Sequence, residues 1–102
     1  MAGRSSARTV RAARQIGENL ATWRKLQNLT ADQLADRAGI SRPTLYKLEH
    51  GDLGVGFGVL LEVLRGLGQL DAAITATDPY ETDLGRIRSG ETVPKRVRSR
   101  RT

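Results

Sequence analysis

Gln33, Arg37, Arg42, Thr44, Tyr46 and Lys47 stand within one short stretch, Thr30 to Gly51, TADQLADRAGISRPTLYKLEHG. Their guanidinium, ammonium, amide and hydroxyl groups are the donors that hydrogen-bond phosphate oxygens and the edges of bases. Between them run Leu34, Ala38, Ile40, Leu45 and Leu48, apolar at the spacing of two short helices with facing inner sides. Ala35 is small where crossing helices must approach closely. Gly39 supplies the positive φ that a three- or four-residue turn between helices usually needs. With the apolar set turned inward, the donors are left outside, which is the arrangement of a device for reading DNA.

Such a device works only if its helices begin and end in the right places, and the local signals for that are present. Thr30 is an N-cap with Gln33 three residues on, the pattern of a capping box. Ser41 caps the next helix, Pro43 falls in its first turn, where a missing N–H costs little, and Gly51 ends it. An earlier helix is expected from about Val10 to Gln27, where Ile16, Leu20 and Trp23 recur at helical spacing and Gly17 is a mild weakness. Trp23 is expected to pack inward. After the glycine-rich GDLGVGFG, where Phe57 is also assigned to the core, Val59, Leu60, Val63, Leu64 and Leu67 form the apolar face of a fourth helix that stops at Gly66 to Gly68. Leu70 to Ala76 reads as a short fifth helix or, given Ile74 and Thr75, as a strand, and Pro79 closes it either way. The expected fold class is all-α: a compact four- or five-helix domain over 10–78, between a basic flexible arm over 1–9 and a basic tail over 79–102.

At 102 residues the chain has room for one core. The net charge is +6, and the excess lies at the ends: +4 over 1–14, −2 over 15–80 and +4 over 81–102. Basic arms on a near-neutral body suit a polyanionic partner. With no cysteine, neither a disulfide framework nor a thiolate metal site is available, and no metal or cofactor is expected. No apolar run approaches the roughly 18 residues that span a bilayer, and no secretory signal is recognisable. The expected location is the cytoplasm, at the nucleoid. Catalysis is not expected. His50 is the one histidine, set where an imidazole caps a helix, and no GxxxxGK[ST] loop is present. Gly51, Gly54, Gly56 and Gly58 follow a helix and not a strand, so they do not make a nucleotide loop. Four aromatic residues, two of them assigned to the core, leave too few for the stacking that single-stranded RNA recognition favours.

Over roughly Ile16 to Leu70, with the small Ala35, Gly39, Ser41 and the ending LEHG in register, the chain resembles the Xre-type helix-turn-helix repressors, with an Xre/lambda-repressor-like fold. Within them LADRAGISRPTLYKLEHGD, LEVLRGLGQLD and the basic ending VPKRVRSRR are similar to the HipB-like antitoxins. The resemblance implies a sequence-specific repressor of double-stranded DNA, a homodimer on an inverted-repeat operator, that autoregulates a toxin-antitoxin operon and has a HipA-like kinase toxin as partner. The alternative is a stand-alone phage or host repressor with no toxin. Residue by residue, it implies that Ser41 and Arg42 open the recognition helix in the major groove, with Lys47 one turn on.

The chemistry of each candidate fits that placement. Arg42 matches the O6/N7 acceptor pair of guanine, or else contacts phosphate alone. Pro43 cannot donate and would pack against a thymine methyl. Thr44 and Tyr46 contribute hydroxyls, with Tyr46 equally suited to packing on the flanking helix, and Gln33 is a phosphate contact or surface filler. Lys95, Arg96 and Arg98, in a segment with Val97 as its one apolar residue, form a disordered arm for DNA or for a protein. In such domains an arginine of the first helix and an acid near the end of the third form a partly buried ion pair, a role that falls here on Arg24 and Glu49. The dimer surface is expected from the fourth helix and Leu67 to Ile74.

Overall fold

The computed structural model describes residues 4–92, and every regular element among them is helical. In order these are α1 (Ala7–Leu26), α2 (Ala31–Ala38), α3 (Arg42–Glu49), α4 (Phe57–Gly66), α5 (Leu70–Ala76), a 3-10 turn (Pro79–Glu81) and α6 (Asp83–Thr92). The chain falls into two compact units, 1–70 and 71–102.

In the first unit α2 packs on α3 and α4, and α1 packs on α3. Leu20, Leu34, Ala35, Ala38, Leu45, Leu48, Val63 and Leu67 form the core, with Leu34, Leu45 and Val63 fully enclosed. The helix boundaries follow from side-chain caps. Thr30 Oγ1 accepts from the N–H of Gln33 at 3.0 Å, while Gln33 Oε1 accepts from the N–H of Thr30 at 2.8 Å, so two orphan amides are satisfied reciprocally. Gly39 ends α2 at φ 72°. Ser41 Oγ accepts from the N–H of Thr44 at 3.2 Å. At the far end of α3, Gly51 adopts φ 80°, and the N–H groups of Gly51 and Asp52 return to the carbonyls of Leu48 and Lys47. That pairing satisfies two carbonyls that a helix end otherwise leaves open.

The first helix departs from its expected form in two ways. It starts at Ala7, because Ser6 Oγ accepts from the N–H of Thr9 and caps it there. Its inward face is also turned by about one residue from the expected one: Ile16 is 47% and Trp23 41% exposed, whereas Gly17 and Leu20 are buried and Arg24 half-buried. The reason lies at Gly17, where a Cβ would come within 2.6 Å of the carbonyl oxygens of Leu48 and Glu49. Here α1 meets the backbone of α3, so the crossing selects a residue without a side chain and swings the bulky Ile16 and Trp23 aside. Phe57, assigned to the core from the sequence, is 74% exposed at the start of α4.

The segment 70–76, open between helix and strand, is helical, with all but Leu70 in the second unit. A further helix, α6, lies inside the stretch read as tail; Thr82 Oγ1 accepts from the N–H of Gly85 at 2.9 Å and Asp83 stands in its first turn. No described residue of 71–90 is buried.

Candidate nucleic-acid interface

The candidate site is built on α3, and α3 is held by its C-terminal end. Arg24 Nε lies 2.8 Å from Glu49 Oε2 and Nη2 lies 3.2 Å from Oε1, a two-point contact, while Nη1 donates to the carbonyl of Leu29 at 3.2 Å. The two side chains are only 14% and 9% exposed. One guanidinium thus ties together α1, the loop before α2 and the last turn of α3. A forked pair fixes direction as well as distance, which sets the pitch of α3 against the body.

The outer face of α3, along its whole length, carries the exposed groups. Arg42, Pro43, Tyr46 and Lys47 line one shallow surface, as the i, i+4 geometry of a helix requires of Arg42 and Tyr46. Arg42 Nη1 donates to Asp32 Oδ1 at 2.8 Å, across from the first turn of α2. Tyr46 is exposed and stacks on His50 with ring centroids 3.8 Å apart, and His50 Nδ1 lies 2.8 Å from the Tyr46 carbonyl oxygen. The histidine therefore acts on the helix end, as expected. The hydroxyls of Ser41 and Thr44 are 2.8 Å apart and bond each other, with Thr44 half-buried. Gln33 commits its carbonyl oxygen to the capping box, which leaves the amide hydrogens to donate elsewhere.

Arg37, counted among the outward donors, is engaged within the fold. Its Nη1 donates to the Gly66 carbonyl at 3.3 Å, and its own carbonyl accepts from Arg65 Nη2 at 2.9 Å. It ties α2 to the end of α4. Lys95, Arg96 and Arg98 lie outside the described residues. The site residue that the sequence reading missed is Asp32. Its signal was faint: an acid in the first turn of α2 and a base at the first position of α3, ten residues apart.

Among the described residues no group of acidic or histidine side chains is arranged to hold a metal ion, and no helix is long and apolar enough to cross a membrane. A family model described as helix-turn-helix matches residues 20–72, just over half of the chain. No curated protein and no solved structure matches.

Proposed function

The chain belongs to the helix-turn-helix family of DNA-binding transcription regulators, and from that premise we propose that it is a sequence-specific repressor acting as a homodimer on an inverted-repeat operator. The observation that carries this reading is the exposed surface of Arg42, Pro43, Tyr46 and Lys47 along the outer face of a helix whose last turn is locked to the body by Arg24 and Glu49. Arg42 is the base reader, since its fork matches guanine O6 and N7. Pro43 offers an apolar edge to a thymine methyl. Lys47, the Gln33 amide, and the hydroxyls of Tyr46 and of the Ser41 and Thr44 pair serve phosphates or base edges. Two copies are required because one such module reads only a few base pairs; paired half-sites roughly 34 Å apart supply the rest.

The test begins with duplexes selected by the protein from a random pool. They are expected to contain an inverted repeat, and the protein a dimeric mass. Arg42→Ala is expected to cost about 1–3 kcal/mol and to relax the preference at one base position, whereas Lys47→Ala weakens all duplexes alike and reduces the salt slope by about one. A uniform loss for Arg42→Ala across single-base variants would make Arg42 a backbone anchor.

The antitoxin role is a second reading, supported by the likeness of LEVLRGLGQLD and VPKRVRSRR to HipB-like chains. The same basic ending also suits phosphates, because charge of one sign with a single apolar residue gives little to a shaped protein groove. Deletion after Val93 is accordingly expected to weaken selected and random DNA by a similar factor and to flatten the salt dependence. Unchanged DNA binding, with loss of inhibition of a kinase encoded beside the chain, would assign the ending to a toxin instead.

A further inference from the structure

Asp32 presents a carboxylate 72% exposed beside the base-reading end of α3, where a DNA-binding surface would ordinarily exclude negative charge. It is not solvent-directed at random. Its Oδ1 accepts from Arg42 Nη1 at 2.8 Å, across the turn between α2 and α3. Resting on the base-reading role given to Arg42 above, we propose that Asp32 is a specificity-determining positioning residue, which holds the Arg42 guanidinium for a base edge and withholds it from phosphates.

Two physical effects work together. A guanidinium has five N–H donors, and the bond to Asp32 engages one nitrogen, leaving the Nε and Nη2 edge free to meet a bidentate acceptor. The long side chain is then restrained before DNA arrives, so less freedom is lost on meeting the base. The second effect is electrostatic. A bare arginine is drawn to any phosphate, with gain on every sequence, but one neutralised by a carboxylate gains little from a phosphate and retains its hydrogen-bonding pattern for guanine. Asp32 thus lowers affinity for random DNA more than for the operator. The ratio of the two is what a regulator must maximise. The exposed Arg65–Glu62 pair is of similar length but joins two residues three apart on α4 and so fixes nothing on α3.

The experiment uses the full chain, a duplex that the wild type selects from a random pool, its single-base variants and a scrambled duplex of equal length, at two salt concentrations. Asp32→Asn is expected to raise affinity for the scrambled duplex by about three- to fivefold and to steepen the salt slope by up to about one. It should also shrink the penalty at the one base position that Arg42→Ala identifies, leaving the other positions as they were. In the Arg42→Ala background the same change should leave the whole base profile intact. A thermal midpoint for Asp32→Asn close to the wild type's confirms that the fold is kept, as an exposed pair implies. If Asp32→Asn strengthens both duplexes alike and the profile stays intact, Asp32 is a repelling charge alone and the proposal fails. It fails too if every position flattens together. A wild type without any base preference would overturn the regulator reading itself, which is a separate result.

Discussion

Arg24→Ala and Glu49→Ala are each expected to destabilise the first unit by about 3 kcal/mol, and the double replacement by much less than the sum. Breaking a buried pair by removing one partner costs about 3–5 kcal/mol, because the remaining charge is left without its counter-ion in a poorly solvated place. The lower end applies since 14% and 9% of the two side chains still reach water. Arg24→Ala should be the worse of the two: it also strips the Leu29 carbonyl of a donor 3.2 Å away. Once both charges are gone nothing is stranded, so the cycle should show coupling of a few kcal/mol. Urea unfolding of the four proteins measures it. The exposed Arg65–Glu62 pair is the internal comparison, with coupling of no more than about 1 kcal/mol. Additive losses for Arg24 and Glu49 would mean that each acts through its own packing. Because the pair sets how α3 sits on α1, the folded fraction of either single variant should also bind DNA more loosely without losing preference at any one base, in contrast to Arg42→Ala.

How legible these features were depends on the range over which the physics acts. The segment from Thr30 to Gly51 was read closely because its determinants are local: Thr30 with Gln33, and Ser41 with Thr44, satisfy helix starts within four residues, and Gly39 and Gly51 turn the chain where only a positive φ serves. Leu34, Ala38, Leu45 and Leu48 are inside as their spacing requires. The first helix misled because periodicity weighs residue size and apolarity, whereas its contact face is chosen by closeness of backbones. Ile16, Leu20 and Trp23 make a plausible stripe, yet the stripe that meets α3 is Gly17, Leu20 and Arg24, a glycine and a charge around one leucine. Nothing in the stretch itself reveals that a glycine is its most confined position. The helix α6 escaped for the opposite reason: with Leu84 and Ile87 both exposed, it buries no stripe that a pattern could disclose. Asp32 escaped because its meaning is tertiary, in a bond ten residues away that exists only once α2 and α3 are in place.

Gly17→Ala tests the confinement of that glycine, and the sign of the effect separates two opposed contributions. Alanine in a helix interior is favoured over glycine by about 1 kcal/mol, so a glycine read from the sequence as a weak point should be improved by the change. The added Cβ, however, would stand 2.6 Å from two carbonyl oxygens and 2.8 Å from the Glu49 carbonyl carbon. These are backbone atoms, which no rotamer change can move aside. Relief requires shifting the last turn of α3, and that lengthens the Arg24–Glu49 contact on the same turn. Overpacking of this kind costs about 1–3 kcal/mol, occasionally more, and a methyl driven into backbone atoms belongs at or above the top of that range. The net expectation is a loss of about 2 kcal/mol, read as a lower urea midpoint with an unchanged slope. Gly17→Val, which adds two more methyl groups at the crossing and recovers less helix propensity, should lose more. Gly58→Ala is the matched control: it lies in α4 with open space around the new carbon, and should stabilise by up to about 1 kcal/mol. In the Glu49→Ala background the penalty of Gly17→Ala should shrink, since the pair it would distort is already gone. A Gly17→Ala protein as stabilised as Gly58→Ala would show that α1 and α3 do not meet at this residue, and an undiminished penalty without Glu49 would show that the crossing and the ion pair act independently on α3.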